Sequence, residues 1–173
     1  MSIQFNPRIP RLPDILAQAG FDYCGAVAFP DGCACVCCFS LADIVRCGQD
    51  NCLKPLDGLK CRKGVYIVIE DDTALYVGSS IKVTNSWSLP DRIAQHFRGK
   101  DSGATLRENW QRMHSGCDYR QFVRRMRGCR LQVVSFQKEA DNQQVLRLEH
   151  LLIGLLGPRY CDVQDPARSS QAS

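Results

Sequence analysis

Two short apolar runs, Val65 to Ile69 and Ala74 to Val77, are separated by little more than the aspartate pair Asp71 and Asp72. β-branched and aromatic residues dominate both runs, so each suits a strand, and the short acidic link predicts an antiparallel hairpin. Each run carries a tyrosine two residues from a glycine: Gly64 and Tyr66 in the first, Tyr76 and Gly78 in the second. Tyrosine packs well in cross-strand pairs, which accounts for each ring taken singly. Two phenols beside an open patch of backbone also make part of a reaction site, and the rest of the chain has to choose.

After the hairpin, "SWSLPDRIAQHF" carries helix-start chemistry, with Ser88 as N-cap, Pro90 in the first turn and Asp91 close behind. The helix should run at least to Phe97. Leu106, Trp110, Met113 and Cys117 recur at helical spacing. In "YRQFVRRMR", Tyr119, Val123 and Met126 form one stripe, and Arg120, Arg124 and Arg127 form another, as in an amphipathic helix with a cationic face. "RLQVVSF" (130–136) predicts a third strand. Asp141 or Asn142 should cap a last helix whose Val145, Leu148, Leu151, Leu152, Leu155 and Leu156 share a face, stopped by Gly157 and Pro158. The order predicts an α+β domain over residues 62–162, a small three-stranded antiparallel sheet flanked by helices. Residues 1–61 are expected to form a Cys-rich N-terminal arm, and 163–173 a flexible tail. Within the arm, "LPDILAQAG" suggests a helix after Pro13 ended by Gly20, and "PDG" a hairpin or irregular turn.

Eight of the eleven cysteines fall between Cys24 and Cys61. The start of the chain has prolines where a secretory signal would be apolar, so the expectation is a reduced, cytoplasmic protein rather than a disulfide scaffold. No apolar stretch approaches the roughly 18 residues of a membrane span. Cys35 and Cys38 have the spacing of a zinc knuckle, with Cys47, Cys52 or Cys61 to complete a set. No second Cys-x-x-Cys and no histidine lies in the segment, so buried thiols are favoured over structural Zn²⁺.

The chain's net charge is +4, yet Arg92 to Arg130 holds ten cations against three acids, leaving +7 there and −3 elsewhere. Nine of the ten are arginine, whose planar fork matches phosphate oxygens. Charge segregated in this way suits a polyanion such as DNA. Arg98, Lys100, Arg120, Arg124 and Arg127 are the candidate contacts.

Three further polar residues stand out. Arg92 and His96 are four apart on one helix and share a face. Glu149 sits between Leu148 and Leu151, where a carboxylate is costly unless it is paired or binds a cation.

These residues resemble the GIY-YIG nucleases, with Gly64-Val65-Tyr66 and Tyr76-Val77-Gly78 as the two tripeptides, Arg92 and His96 on the next helix and Glu149 on a later one. "GPRYC" resembles the family's closing Pro-x-x-Asn, with Cys161 in the place of asparagine and an amide lost. The resemblance covers about residues 62–162 and implies a metal-dependent DNA endonuclease, such as a restriction-type or mobile-element or phage enzyme. It implies one Mg²⁺ or Mn²⁺ at Glu149, charge stabilisation by Arg92, water activation by Tyr66, orientation by Tyr76 and support from His96. Gly78 would leave room for the substrate backbone. A homodimer or sequential nicking would each serve to cut both strands. The alternatives are a nucleic-acid-binding module that does not cut and a zinc-stabilised interaction domain led by residues 24–61.

Overall fold

The computed structural model describes residues 28–29, 32–33, 35–46, 53–84, 87–99 and 103–161. In chain order these form β1 (Ala28–Phe29), β2 (Gly32–Cys33), β3 (Cys35–Ser40), α1 (Leu41–Ile44), a 3-10 turn (Lys54–Leu59), β4 (Lys63–Glu70) and β5 (Thr73–Ser80). There follow α2 (Leu89–Gln95), α3 (Thr105–Met113), α4 (Tyr119–Met126), β6 (Arg130–Phe136) and α5 (Asn142–Leu156). β1 and β2 pair across "PDG". The helix expected after Pro13 and the tail after residue 162 lie outside the described residues.

The sheet is antiparallel, in the order β3-β6-β4-β5. It has four strands where three were expected, because residues 35–40 of the Cys-rich stretch pair with all but the last residue of β6, from Cys35↔Ser135 to Ser40↔Arg130. The sequence hides this strand because cysteine is not a strong strand former. Its fitness is supplied by the cross-strand neighbours on β6, against which Cys37 and Phe39 pack toward the core. A continuous strand also lacks the turn that Cys-x-x-Cys needs to aim two thiolates at one ion. Cys38 and Cys61 are exposed, Cys37 is half-buried, and Cys47 and Cys52 lie outside the described residues. Among the described residues no group of three or more His, Cys, Asp or Glu side chains is placed to hold a metal.

The sheet separates two apolar layers. On one face Tyr66, Val68, Tyr76, Leu131 and Val133 pack against residues of α1 to α4, among them Leu41, Leu89, Ile93, Leu106 and Phe122. On the other, Val65, Ile67, Val77 and Val134 pack against Val145, Leu148 and Leu152 of α5. Burying one such side chain contributes about 1.5–3 kcal/mol, so both layers matter on the scale of a domain's net stability. The expected apolar stripes are wider than the buried ones: Leu155 is 48% and Met113 56% exposed.

Helix ends follow the local chemistry. Ser88 donates through both its N–H (2.9 Å) and its hydroxyl (2.6 Å) to the Asp91 carboxylate, fixing the start of α2. At α4 the Asp118 N–H donates to Gln121 Oε1 (2.7 Å) and the Gln121 N–H donates back to Asp118 Oδ1 (2.8 Å). Asp141 caps α5, and Gly157 ends it at φ 53°. α2 stops at Gln95, short of the expected Phe97, and His96 and Phe97 form a tighter turn through His96 N–H to Ile93 O and Phe97 N–H to Ala94 O.

One irregularity decides the site. The hairpin register runs Tyr66↔Gly78, Ile67↔Val77 and Val68↔Tyr76, then jumps to Ile69↔Ala74. Leu75 is the extra residue of a β-bulge. Residues paired across a ladder share a face, so unbroken counting back from the turn would set Tyr66 against Val77 and Tyr76 against Ile67, on opposite faces. The bulge shifts β5 by one residue and brings both tyrosines to the same side.

Candidate active site

The Tyr66 hydroxyl lies 2.6 Å from His96 Nε2, and both residues are almost fully buried. The backbone N–H of Leu106 donates to His96 Nδ1 at 3.4 Å. An imidazole nitrogen that accepts carries no proton, so in the neutral ring the proton sits on Nε2 and is donated to the Tyr66 oxygen. Burial, with Arg92 and Arg107 adding to it, lowers the His96 pKa from 6.5 to about 3. His96 is therefore a fixed neutral donor. Tyr76 lies edge-on to His96 with ring centroids 4.9 Å apart, and its hydroxyl bonds to the Thr105 side chain.

The neutral histidine has a measurable consequence. An unfolded chain takes up a proton near pH 6.5 that the native ring refuses until about pH 3. The unfolded state thus binds more protons in that window, and stability falls as pH drops through 6.5. Urea unfolding at pH 7 and pH 5 should show wild type losing about 2 kcal/mol more than His96→Gln over this interval. Parallel curves would mean that the ring is solvated.

Burial raises both phenols, Tyr66 well above its ordinary value and Tyr76 to about 12. Arg92 pulls both down, and Glu149 and Cys161 push both up. All three therefore lie within electrostatic reach of the two hydroxyls. Arg92, at the wall of a cleft of about 480 Å³, donates through one terminal nitrogen to Gln95 Oε1 (2.5 Å) and Gly103 O (3.1 Å).

Glu149 arrives from the other side of the sheet. Ser79 and Ser80, adjacent on β5, fall on opposite faces and both line the cleft. The Ser79 hydroxyl donates to Glu149 Oε2 at 2.6 Å, satisfying the half-buried carboxylate beside the α5 core stripe. The cleft thus gathers groups from both faces at the end of β5. A single carboxylate, oriented by a serine that itself lines the cleft, fits a hard divalent ion, which keeps several waters of its own. A softer or fully protein-ligated metal does not fit this donor set.

Cys161, where the resemblance would place an asparagine, bonds twice to Val77. Its sulfur accepts from Val77 N–H and donates to Val77 O, each at 3.2 Å. Arg159 N–H to Ala74 O and Tyr160 N–H to Leu75 O continue the contact, so the closing segment covers the outer edge of β5.

Gly78 differs from its expected role. A Cβ on Gly78 would lie 2.6 Å from the Tyr66 hydroxyl oxygen and 2.8 Å from Tyr76 Cε1. The space beside Gly78 is filled by the two phenols themselves, not left for substrate. A Cβ on Gly64 would meet Val134 O at 2.5 Å and Leu89 Cδ2 at 2.8 Å, so Gly64 permits close packing of β6 and α2.

The Tyr66, Tyr76 and His96 rings pack together, and Arg92 and Glu149 lie within electrostatic reach of the phenols. Of these five Arg92 lines the cleft, and among the described residues none of the candidate DNA-contacting cations does. Arg120 and Arg124 are exposed on α4, while Arg127 donates to Val45 O at 2.6 Å and tethers α1. Arg98 is half-buried, its carbonyl accepting from the Arg107 side chain, and Lys100 lies outside the described residues. Arg125 pairs with Glu70 at 2.7 Å, and Arg130 donates to Asp71 O at 2.6 Å. The cationic segment therefore has several of its guanidinium groups built into the fold. Ser79, Ser80, Lys82, Trp87, Gln95 and Thr105 were missed from sequence; only the serine pair directly after Gly78 gave a local hint. No helix among the described residues is long and apolar enough to cross a membrane. Comparisons with protein-family models, curated proteins and solved structures found no match.

Proposed function

We propose that this protein is a metal-dependent DNA endonuclease of the GIY-YIG type, hydrolysing phosphodiester bonds at the cleft between β5 and α2. The observation that carries this reading is the 2.6 Å Tyr66–His96 pair within electrostatic reach of Arg92 and Glu149. Phosphoryl transfer needs an activated oxygen nucleophile and charge stabilisation on the phosphoryl oxygens. When bound at Glu149, Mg²⁺ or Mn²⁺ would neutralise phosphoryl charge and make water and phenol beside it more acidic. Arg92, steadied by Gln95 and the Gly103 carbonyl, presents its guanidinium to the scissile phosphate. Tyr66, as phenolate held by the His96 Nε2–H, takes the proton of the attacking water. The oxygen of that water bonds to phosphorus while the P–O bond to the strand breaks, the departing oxygen taking a proton from solvent. Tyr76, held by Thr105, orients the water or phosphate. Cutting both strands takes either a homodimer or successive nicks by one chain.

The test is incubation of supercoiled and linear DNA with Mg²⁺ or Mn²⁺. Wild type should cut, and Glu149→Ala should cut roughly 100-fold more slowly or worse. Undiminished cleavage by Glu149→Ala would remove the site. A second reading, a nucleic-acid-binding module without cleavage, draws on the raised Tyr66, a phenol hard to ionise and hence a reluctant base. It predicts salt-sensitive DNA binding that persists in Glu149→Ala, and no cutting by wild type.

A further inference from the structure

Ser80 is 5% exposed, lines the cleft, and its hydroxyl has no hydrogen-bond partner. A buried hydroxyl without a partner costs about 1–3 kcal/mol, so it calls for an explanation. Its surroundings supply one. The same cleft is lined by the exposed Lys82, by Arg92 and by the half-buried Trp87. Among the described residues its two charged lining side chains are both cations, and its volume falls within the roughly 300–1,000 Å³ of small-ligand sites. Two cations and a hydroxyl suit phosphate oxygens, and an indole is the best side chain on which to stack a flat ring. Phosphate and flat ring together describe a nucleotide.

We infer that this cleft is a nucleotide subsite, in which the nucleotide flanking the scissile phosphate is unstacked from its strand. Its base lies against Trp87, and its phosphate is held by Ser80 and Lys82. The inference rests on the proposed nuclease reading and deepens it. Recognition by stacking is tolerant of base identity but requires an exposed base face, so the subsite favours single-stranded or distorted DNA over intact duplex.

The experiment titrates the full-length protein with a short single-stranded oligothymidylate in EDTA, following tryptophan emission. The chain has two tryptophans, and Trp110 is buried at 3% exposure, an internal reference. Wild type should be quenched on binding. Trp87→Phe should bind with little quenching, and Trp87→Ala should raise Kd about tenfold. Lys82→Ala should lower the salt slope of binding by about one. Ser80→Ala should weaken binding several-fold while leaving Tm equal to or above wild type, since its hydroxyl bonds nothing within the fold. A purely structural serine would lower Tm instead. Circular dichroism confirms that each variant is folded.

Unchanged oligothymidylate affinity in Trp87→Ala, with cleavage intact, would overturn the subsite and leave the nuclease reading standing. Loss of affinity in Trp87→Ala, in a protein whose wild type never cuts, would uphold the subsite and overturn the nuclease reading. No binding of oligothymidylate by wild type would overturn the subsite outright.

Discussion

Tyr66→Phe is expected to slow DNA cleavage by about 10²–10⁴-fold, the range for loss of a positioned acid–base group. The ring fills the same space, so what disappears is the oxygen that accepts from His96 Nε2. The variant should also lose about 1–3 kcal/mol of stability, because the His96 N–H is then buried without a partner. Assays are therefore best run well below the lowered Tm, where the catalytic loss must persist. Wild-type cleavage should rise roughly tenfold per pH unit between about pH 6 and 9. The reactive form is the phenolate; burial raises the phenol's pKa well above its ordinary value, so the phenolate fraction climbs with pH up to whatever pKa a bound ion leaves it. His96 contributes no inflection there, since its pKa is lowered to about 3. A bell-shaped profile centred near neutrality, or a Tyr66→Phe enzyme that cuts normally, would move the base elsewhere.

Gly64→Ala and Gly78→Ala should separate folding from chemistry, although the sequence presents the two glycines as equivalents. At Gly64 the new methyl group meets the Val134 carbonyl at 2.5 Å and Ser135 Cα at 3.2 Å. Both belong to the backbone of β6, which is hydrogen-bonded on both sides and cannot withdraw. The β4–β6 ladder must open, at a cost of about 3 kcal/mol or more, a large share of a typical 5–15 kcal/mol stability. At Gly78 the methyl group meets the ends of the Tyr66 and Tyr76 rings. Side chains can turn aside, so the stability cost should be smaller, about 1–3 kcal/mol. The displaced Tyr66 hydroxyl should make the loss of cleavage comparable with Tyr66→Phe. Urea midpoints and cleavage rates on both variants test this, and a more stable Gly64→Ala than Gly78→Ala would contradict it.

What the sequence made legible were the features governed by neighbours in the chain. β-branched runs around an acidic turn gave the hairpin, and Ser88 with Asp91 gave the start of α2. Asp141 and Gly157 gave the ends of α5, and the 3.6-residue period gave its Val145, Leu148 and Leu152 stripe. The spacing of Arg92 and His96 also followed from local geometry, although α2 ended before reaching His96. The set of Tyr66, Tyr76, Arg92, His96 and Glu149 is named by a resemblance to a known family, since taken singly each residue has an ordinary structural reading.

What only the tertiary structure decided were matters of parity, depth and long-range partnership. A bulge at Leu75 puts both tyrosines on one face, and one residue more or less would part them. β3 is a strand because β6 lies beside it, not because cysteine prefers extension. Gly78 makes way for Tyr66, and the Cys161 sulfur both accepts from and donates to the Val77 backbone. Ser79 draws Glu149 in from the opposite face of the sheet. Hydrogen bonds such as Ser79 to Glu149 join residues seventy positions apart, and burial acts through everything packed around a group. Neither leaves a local pattern in the chain, which is why the residue types were readable while their protonation and pairing were not.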